Sequence, residues 1–161
     1  MTVPRFATAV DAPSAVAAAS TLRSRGLRVS SARRVVLEAL FGATRPLSAE
    51  EIAGGAGGRV PPSDVASVYR NLETLEGHGL VRHIHLGHGP GRYVLAACGH
   101  EYVVCERCGG FEPVAPRVLD AVRTAVREAV GYEARFGHFP LTGLCPACRE
   151  RPQRSDDVWT R

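Results

Sequence analysis

"PPSDVASVYRNLETLEGHGLVRHIHLGHGPGRYVLAA", residues 61–97, changes its hydrophobic period once, at Gly79. Before that glycine, apolar residues recur every three or four positions after a polar start at Ser63 or Asp64, which is the pattern of a capped amphipathic helix. After it, "LVRHIHL" and "RYVLAA" alternate and flank the turn signal "GHGPG", which predicts a β-hairpin. A helix that runs directly into a hairpin is the second half of a winged helix.

The first half lies upstream. "SAVAAASTLRSRG", "SSARRVVLEALFGA" and "SAEEIAGGA" each combine a polar start, helical spacing and a glycine-bearing stop, predicting three further helices. Ser30 is placed to cap the second, and Ser48 with Glu51 three residues on forms a capping box for the third. Residues 14–97 therefore read as a winged-helix DNA-binding domain, preceded by a tail at 1–13 without periodicity and expected to be disordered.

Beyond residue 98 the pattern changes again. "EYVVCE" and "FEPV" predict short strands on either side of the turn "CERCGG", "PRVLDAVRTAVREAVG" predicts an amphipathic helix with Pro116 in its first turn, and "EARFGHFPLTGL" is a further strand candidate. Residues 98–150 make a small α/β domain, and "RPQRSDDVWTR" at 151–161 is a second expected disordered tail. The fold class is α+β.

That second domain carries "CERCG" at 105–109 and "CPACR" at 145–149. A CxxC knuckle turns the chain so that two thiolates converge on one ion, and two knuckles supply the four sulfurs that tetrahedral Zn(II) prefers. Cys105, Cys108, Cys145 and Cys148 are thus assigned to a structural zinc. A thioredoxin-like redox site needs one CxxC at a helix start and leaves the second pair unexplained, while disulfides are disfavoured in a reducing compartment.

Composition narrows the function classes. With 161 residues and 45% hydrophobic residues the chain can build a real core, and it contains no run of about eighteen apolar residues. The N-terminus lacks the basic, apolar and cleavage regions of a signal peptide, so the expectation is a cytoplasmic protein without membrane association. A net charge of +4 leans mildly towards an anionic partner. All 20 basic residues are arginine, which fits a coding bias as readily as selection for forked phosphate donors. No nucleophile triad, phosphate loop or catalytic carboxylate pair stands out, so the chain reads as a non-enzyme.

Candidate nucleic-acid ligands sit on the last helix of the first domain. Ser63, Ser67, Tyr69, Arg70 and Asn71 offer hydroxyls, a guanidinium and an amide that can reach phosphates and base edges, and Arg33 and Arg34 on the second helix can grip the backbone. The histidines suggest a second metal site. His83 and His85 alternate onto one face of a strand, Cys98 and His100 are two residues apart at the joint between the domains, and Glu101, Asp120 and His138 add oxygen and nitrogen donors. His78 and His88 fall in turns and read as surface residues.

In order and spacing, "GLRVSSARRVVLEAL", "LSAEEI", "SVYRNLETLEGHGLV", "GRYVL", "HEYVVCERCG" and "HFPLTGLCPAC" resemble the ferric uptake regulator family of bacterial metal-dependent transcription factors over residues 14–149. The resemblance implies a dimeric DNA-binding repressor with an N-terminal winged helix and a C-terminal dimerisation domain. It assigns the four cysteines to structural zinc, and Tyr69 and Arg70 to DNA contact. The histidine-rich segment usual before the first CxxC is reduced here to "CGHEYVVC". Val94 and Pro46 stand where an acidic wing ligand and a histidine are usual, whereas Asp120 and His138 match a helix carboxylate and a strand ligand. Zinc-responsive members use a cysteine near Cys98, and sulfur with imidazole favours zinc over iron. The leading expectation is a homodimer that binds a palindromic double-stranded operator when a regulatory divalent ion, Zn(II) before Fe(II), is bound. The alternatives are an iron-loaded peroxide sensor of the same fold, which the thiol of Cys98 disfavours, and a zinc-bearing redox or adaptor protein with no DNA role.

Overall fold

The computed structural model describes residues 8–87 and 89–150; the expected tail at 151–161 and most of that at 1–13 lie outside the described residues. The chain divides into two compact units, the first running to His85 and resuming at Gly89–Gly99, the second beginning at His100 and taking in Leu86 from the hairpin loop.

In the first unit every predicted helix starts at a side-chain cap. Helix α1 (Ala15–Ser24) begins at Ser14, α2 (Ser31–Phe41) at Ser30, α3 (Ala49–Ala53) at Ser48 and α4 (Val65–Gly77) at Asp64, whose carboxylate accepts the Ser67 N–H at 2.7 Å. These oxygens take up backbone N–H groups that a helix start leaves without intrahelical partners. The apolar faces then close on one core that includes Leu22, Leu37, Leu47, Ile52, Leu72 and Leu75. Val10 and Ala12 pack against the same core, and the Val10 N–H donates to Gly79 O at 2.9 Å, so the ordered domain begins ahead of the expected boundary at residue 14.

The hairpin forms as predicted, with β2 (Val81–Ile84) antiparallel to β3 (Arg92–Leu95) and His83 opposite Tyr93. A third strand, β1 (Leu47–Ser48), adds to β3 to give the order β1-β3-β2. Two residues carry no period, so this strand had no sequence signal. Its anchor is Glu51. The carboxylate accepts the Ser48 N–H at 2.7 Å and ion-pairs with Arg45 at 2.7 Å and with Arg92 of β3 at 2.9 Å, tying the start of α3 to the wing.

The second unit is a sheet of order β5-β4-β6. Strand β4 (Glu101–Cys105) pairs antiparallel with β5 (Phe111–Val114) and parallel with β6 (Leu141–Gly143). The strand candidate at 133–144 thus contracts to its last apolar stretch. The helix expected from Pro116 opens as a 3-10 turn at Pro116–Leu119 and becomes α-helical only as α5 (Asp120–Val130); the short α6 (Pro146–Arg149) ends the described chain. Helix α5 is strongly amphipathic in sequence yet buries no residue within the single chain, and Val118, Val130, Tyr132 and Phe139 are exposed. No helix among the described residues is long and apolar enough to cross a membrane.

Burial pushes the Glu51 carboxyl up, but the Arg45 hydrogen bond, the Ser48 N–H and the charge of Arg92 outweigh it and leave the group below its ordinary value. A carboxylate held lower in the folded state stabilises the fold fully above its unfolded value of about 4.3, and loses that contribution as the pH falls through the folded one. Glu51→Gln should therefore cost about 1–2 kcal/mol at pH 7 and leave a shallower acid-unfolding profile, read by circular dichroism. An unchanged profile would show that the ion pairs are too well solvated to matter.

Candidate metal centres and nucleic-acid interface

The two knuckles converge because β4 and β6 run side by side in parallel, with Cys105 opposite Gly143. At the first, the Gly109 N–H donates to Cys105 O at 2.8 Å and the Cys105 N–H to Gly110 O at 2.7 Å; Gly109 has φ 71°, a conformation that a β-carbon would strain. At the second, Cys145 caps α6, and the Cys148 N–H donates to Cys145 O at 3.0 Å. Arg107 reaches across from the first knuckle to Cys148 O, and the Glu106 N–H donates to Gly143 O at 2.9 Å.

All four sulfurs lie within 4.8 Å of one another, and Cys108 Sγ is 3.9 Å from Cys145 Sγ. A zinc with four sulfurs at 2.3 Å sets neighbouring sulfurs about 3.8 Å apart, whereas a disulfide needs about 2.05 Å. The spacing fits the ion. Electrostatics agrees. Backbone N–H groups at Cys145 and Cys108 pull the Cys105 thiol down to about 6, while its hydrogen bond with Cys145, together with burial, pushes Cys148 up to about 12. The Cys105 thiolate is favoured while Cys148 is held protonated, a conflict that a divalent cation bound among the four sulfurs would remove.

The other metal-ligand candidates are distributed over both units. On the wing, the His83 and His85 rings are 4.5 Å apart, and His83 stacks on Tyr93 at 5.1 Å. Gly91 makes room for this ring, since a β-carbon there would come within 2.0 Å of His83 Nε2. The His83 N–H donates to the Glu76 carboxylate of α4 at 3.1 Å, a direct link between the histidine strand and the preceding helix. Cys98 ends a 3-10 turn at Ala96–Cys98 and is exposed, as is His100. In the second unit His138 packs edge-on against Phe139, with ring centroids 4.6 Å apart.

Glu101 and Asp120 have a different partner. Arg123 on α5 ion-pairs with Glu101 through Nη2 and with Asp120 through Nη1 at 2.9 Å. Its Nη1 also donates to Pro116 O at 2.9 Å, and the guanidinium carbon is 5.4 Å from the centre of the Phe136 ring. The Glu101 hydrogen bond holds the guanidinium protonated above its already high ordinary value. Neither Arg123 nor Phe136 stood out in the sequence, although the spacing from Asp120 to Arg123 is that of a helical ion pair.

On the nucleic-acid side, Tyr69 and Arg70 are exposed on α4, and Arg34 is exposed on α2. The Tyr69 hydroxyl donates to Glu50 on α3 at 2.7 Å, a partner that sequence pattern did not reveal; the bond raises the Tyr69 pKa and lowers that of Glu50. Asn71 is only 8% exposed and faces inward. Its amide donates to Ser67 O at 2.9 Å and accepts from Arg33 Nε at 3.1 Å, while Arg33 Nη1 donates to Arg28 O at 2.6 Å. Arg33 and Asn71 thereby lock α2 to α4. Ser67 is half-buried beside them, and the Ser63 hydroxyl is buried without a hydrogen-bond partner.

Cys105→Ser and Cys145→Ser should each abolish zinc retention, measured by elemental analysis, and leave the second unit unfolded, because ion binding supplies much of the folding free energy of so small a domain. A folded, zinc-free Cys105→Ser protein would remove the structural role of the site.

Residues 24–136 match the model of the ferric uptake regulator family. The peroxide operon regulator of Bacillus subtilis is 27% identical over 134 residues, covering 83% of this chain and 92% of that protein. Among solved structures, the Helicobacter pylori ferric uptake regulator superposes with a TM-score of 0.62 at 24% identity, over 83% of this chain and 90% of that one. A zinc uptake regulator complexed with zinc and DNA gives 0.53 at 22%, over 84% and 93%. The chain belongs to the ferric uptake regulator family of metal-responsive transcriptional regulators.

Proposed function

We propose that the chain is a homodimeric transcriptional repressor that binds a palindromic double-stranded operator when a regulatory divalent ion is bound. The observation that carries this reading is the main-chain contact of His83 with Glu76: the strand that bears His83 and leads to His85 is hydrogen-bonded, through the His83 backbone N–H, to the helix that presents Tyr69 and Arg70. A shift of that strand on ion binding would be passed to the helix through this backbone bond. The exposed apolar residues around α5 support a second copy as the partner of the C-terminal unit, since a helix with one apolar face needs something to bury it against.

The regulatory ion is taken by His83, His85, Cys98, His100 and His138. Nitrogen and sulfur donors favour Zn(II) over Fe(II). Ion binding would favour the DNA-competent arrangement, in which two recognition helices are spaced to match successive half-sites. Arg70 and Tyr69 read base edges, Arg34 contacts phosphate, and Arg33 and Asn71 hold the helix in place behind them. The likeness to the B. subtilis peroxide operon regulator supports a second reading, in which peroxide would be the oxidant at an iron-loaded site, one of its oxygens passing to a ligand histidine and the other leaving as water. Mass spectrometry of the iron-loaded protein after peroxide treatment separates the two, since only the sensor of peroxide gains oxygen on a histidine.

Two variants test the repressor assignment by gel shift against the protein's own promoter region. Arg70→Ala should weaken operator binding by about 1–3 kcal/mol with metal content unchanged; unaltered affinity would put the recognition surface elsewhere. Cys98→Ala and His100→Ala should stay folded with about one zinc per chain, yet lose metal-dependent binding, and the double variant should be no worse than either alone. Wild-type metal response in both would reduce the joint to a linker.

A further inference from the structure

We propose that Arg123 is a built-in cation that closes the Glu101 and Asp120 carboxylates to metal, so that the regulatory ion is bound without them. The residues of this corner do not fit a metal as they stand. One guanidinium bridges both carboxylates, taking Glu101 Oε1 and Asp120 Oδ1, and also donates to Pro116 O, so a divalent ion that used both acids together would have to displace it from between them. The Arg123 side chain is only 20% exposed and lies over the Phe136 ring. Unlike a histidine or lysine, an arginine cannot give way by losing its proton at any working pH. A divalent ion on these oxygens would sit within a few ångströms of a permanent positive charge, and at Glu101, which is largely buried, such repulsion is poorly screened.

The corner still has the makings of a cation site. Glu101 is 12% exposed, and its Oε2 is buried with no hydrogen-bond partner, so the carboxylate keeps a lone pair that the guanidinium does not use. Arg123 neutralises only one of the two negative charges. Removing it would leave two oxygen donors, from β4 and α5, with nothing to compensate them, and hard divalent ions prefer such donors. Arg123 therefore decides the chemical class of the sensor: it withdraws the oxygen ligands and leaves imidazole and thiolate.

The inference rests on the proposed function only in naming the donors that remain; operator binding tests that reading, and ion counting tests this one. Mn(II) binding to the zinc-loaded protein, followed by electron paramagnetic resonance, is the direct measurement. Glu101→Gln and Asp120→Asn should bind the same number of Mn(II) ions as wild type, with affinities within about threefold. Arg123→Met should gain about one Mn(II) per chain, and Arg123→Met combined with Glu101→Gln should lose that gain. A tenfold or larger loss of affinity in Glu101→Gln or Asp120→Asn would make the carboxylates ligands and overturn the proposal, as would a folded Arg123→Met protein with no added ion. Should Arg123→Met fail to fold, the two carboxylate variants, which keep the arginine, still decide between these outcomes.

Discussion

Four cysteine sulfurs within 4.8 Å of one another cannot all be thiolates unless a cation sits among them. The second unit depends on this constraint more than on its hydrophobic core. Its buried apolar residues among those described are Leu86, Tyr102, Val104 and Leu119, besides Cys105 and Cys148 themselves, too few to hold three short strands and an unpartnered helix against chain entropy. An ion held by these sulfurs would cross-link the end of β4 to α6, just past β6, and so hold the parallel pairing of segments distant in sequence. The first unit needs no such device, because its leucine core and capped helices suffice.

Arginine hydrogen bonding recurs at points where the fold ties separate segments together. Glu51 gathers Arg45 and Arg92 to pin the wing to α3. Arg33 and Asn71 join α2 to α4 behind the exposed Tyr69 and Arg70. Arg123 holds Glu101 and Asp120. In each case an arginine fork serves two acceptors at once, which a lysine could not do with the same geometry. The all-arginine basic composition, whatever its origin, is put to structural use at these three positions.

The elements legible in the sequence were those with a period or a fixed spacing. Helices α1, α2 and α4 and the β2–β3 hairpin follow from apolar recurrence and caps, and the four cysteines follow from their spacing alone. What was not legible depends on contacts between segments far apart in the chain. Strand β1 is two residues long and exists because Leu47 meets Tyr93. Asn71 sits at helical spacing from Ser67 and next to Arg70, so it looked like a member of the recognition face; only the packing of α2 shows that its amide turns inward. Glu101 and Asp120 had the chemistry of metal ligands; helical spacing pairs Asp120 with Arg123, but nothing local announced that the same guanidinium also reaches Glu101.

The central claim is that metal and operator act on one equilibrium. An ion that favours the DNA-competent arrangement must be bound more tightly when operator DNA is present, by the same factor by which it strengthens DNA binding. Zn(II) affinity of the regulatory site, measured by competition with a calibrated chelator with and without the operator duplex, tests this directly. The account predicts tighter zinc binding on DNA, by a factor of about 5 to 150 for a coupling of ordinary size. Identical affinities in the two titrations would contradict it.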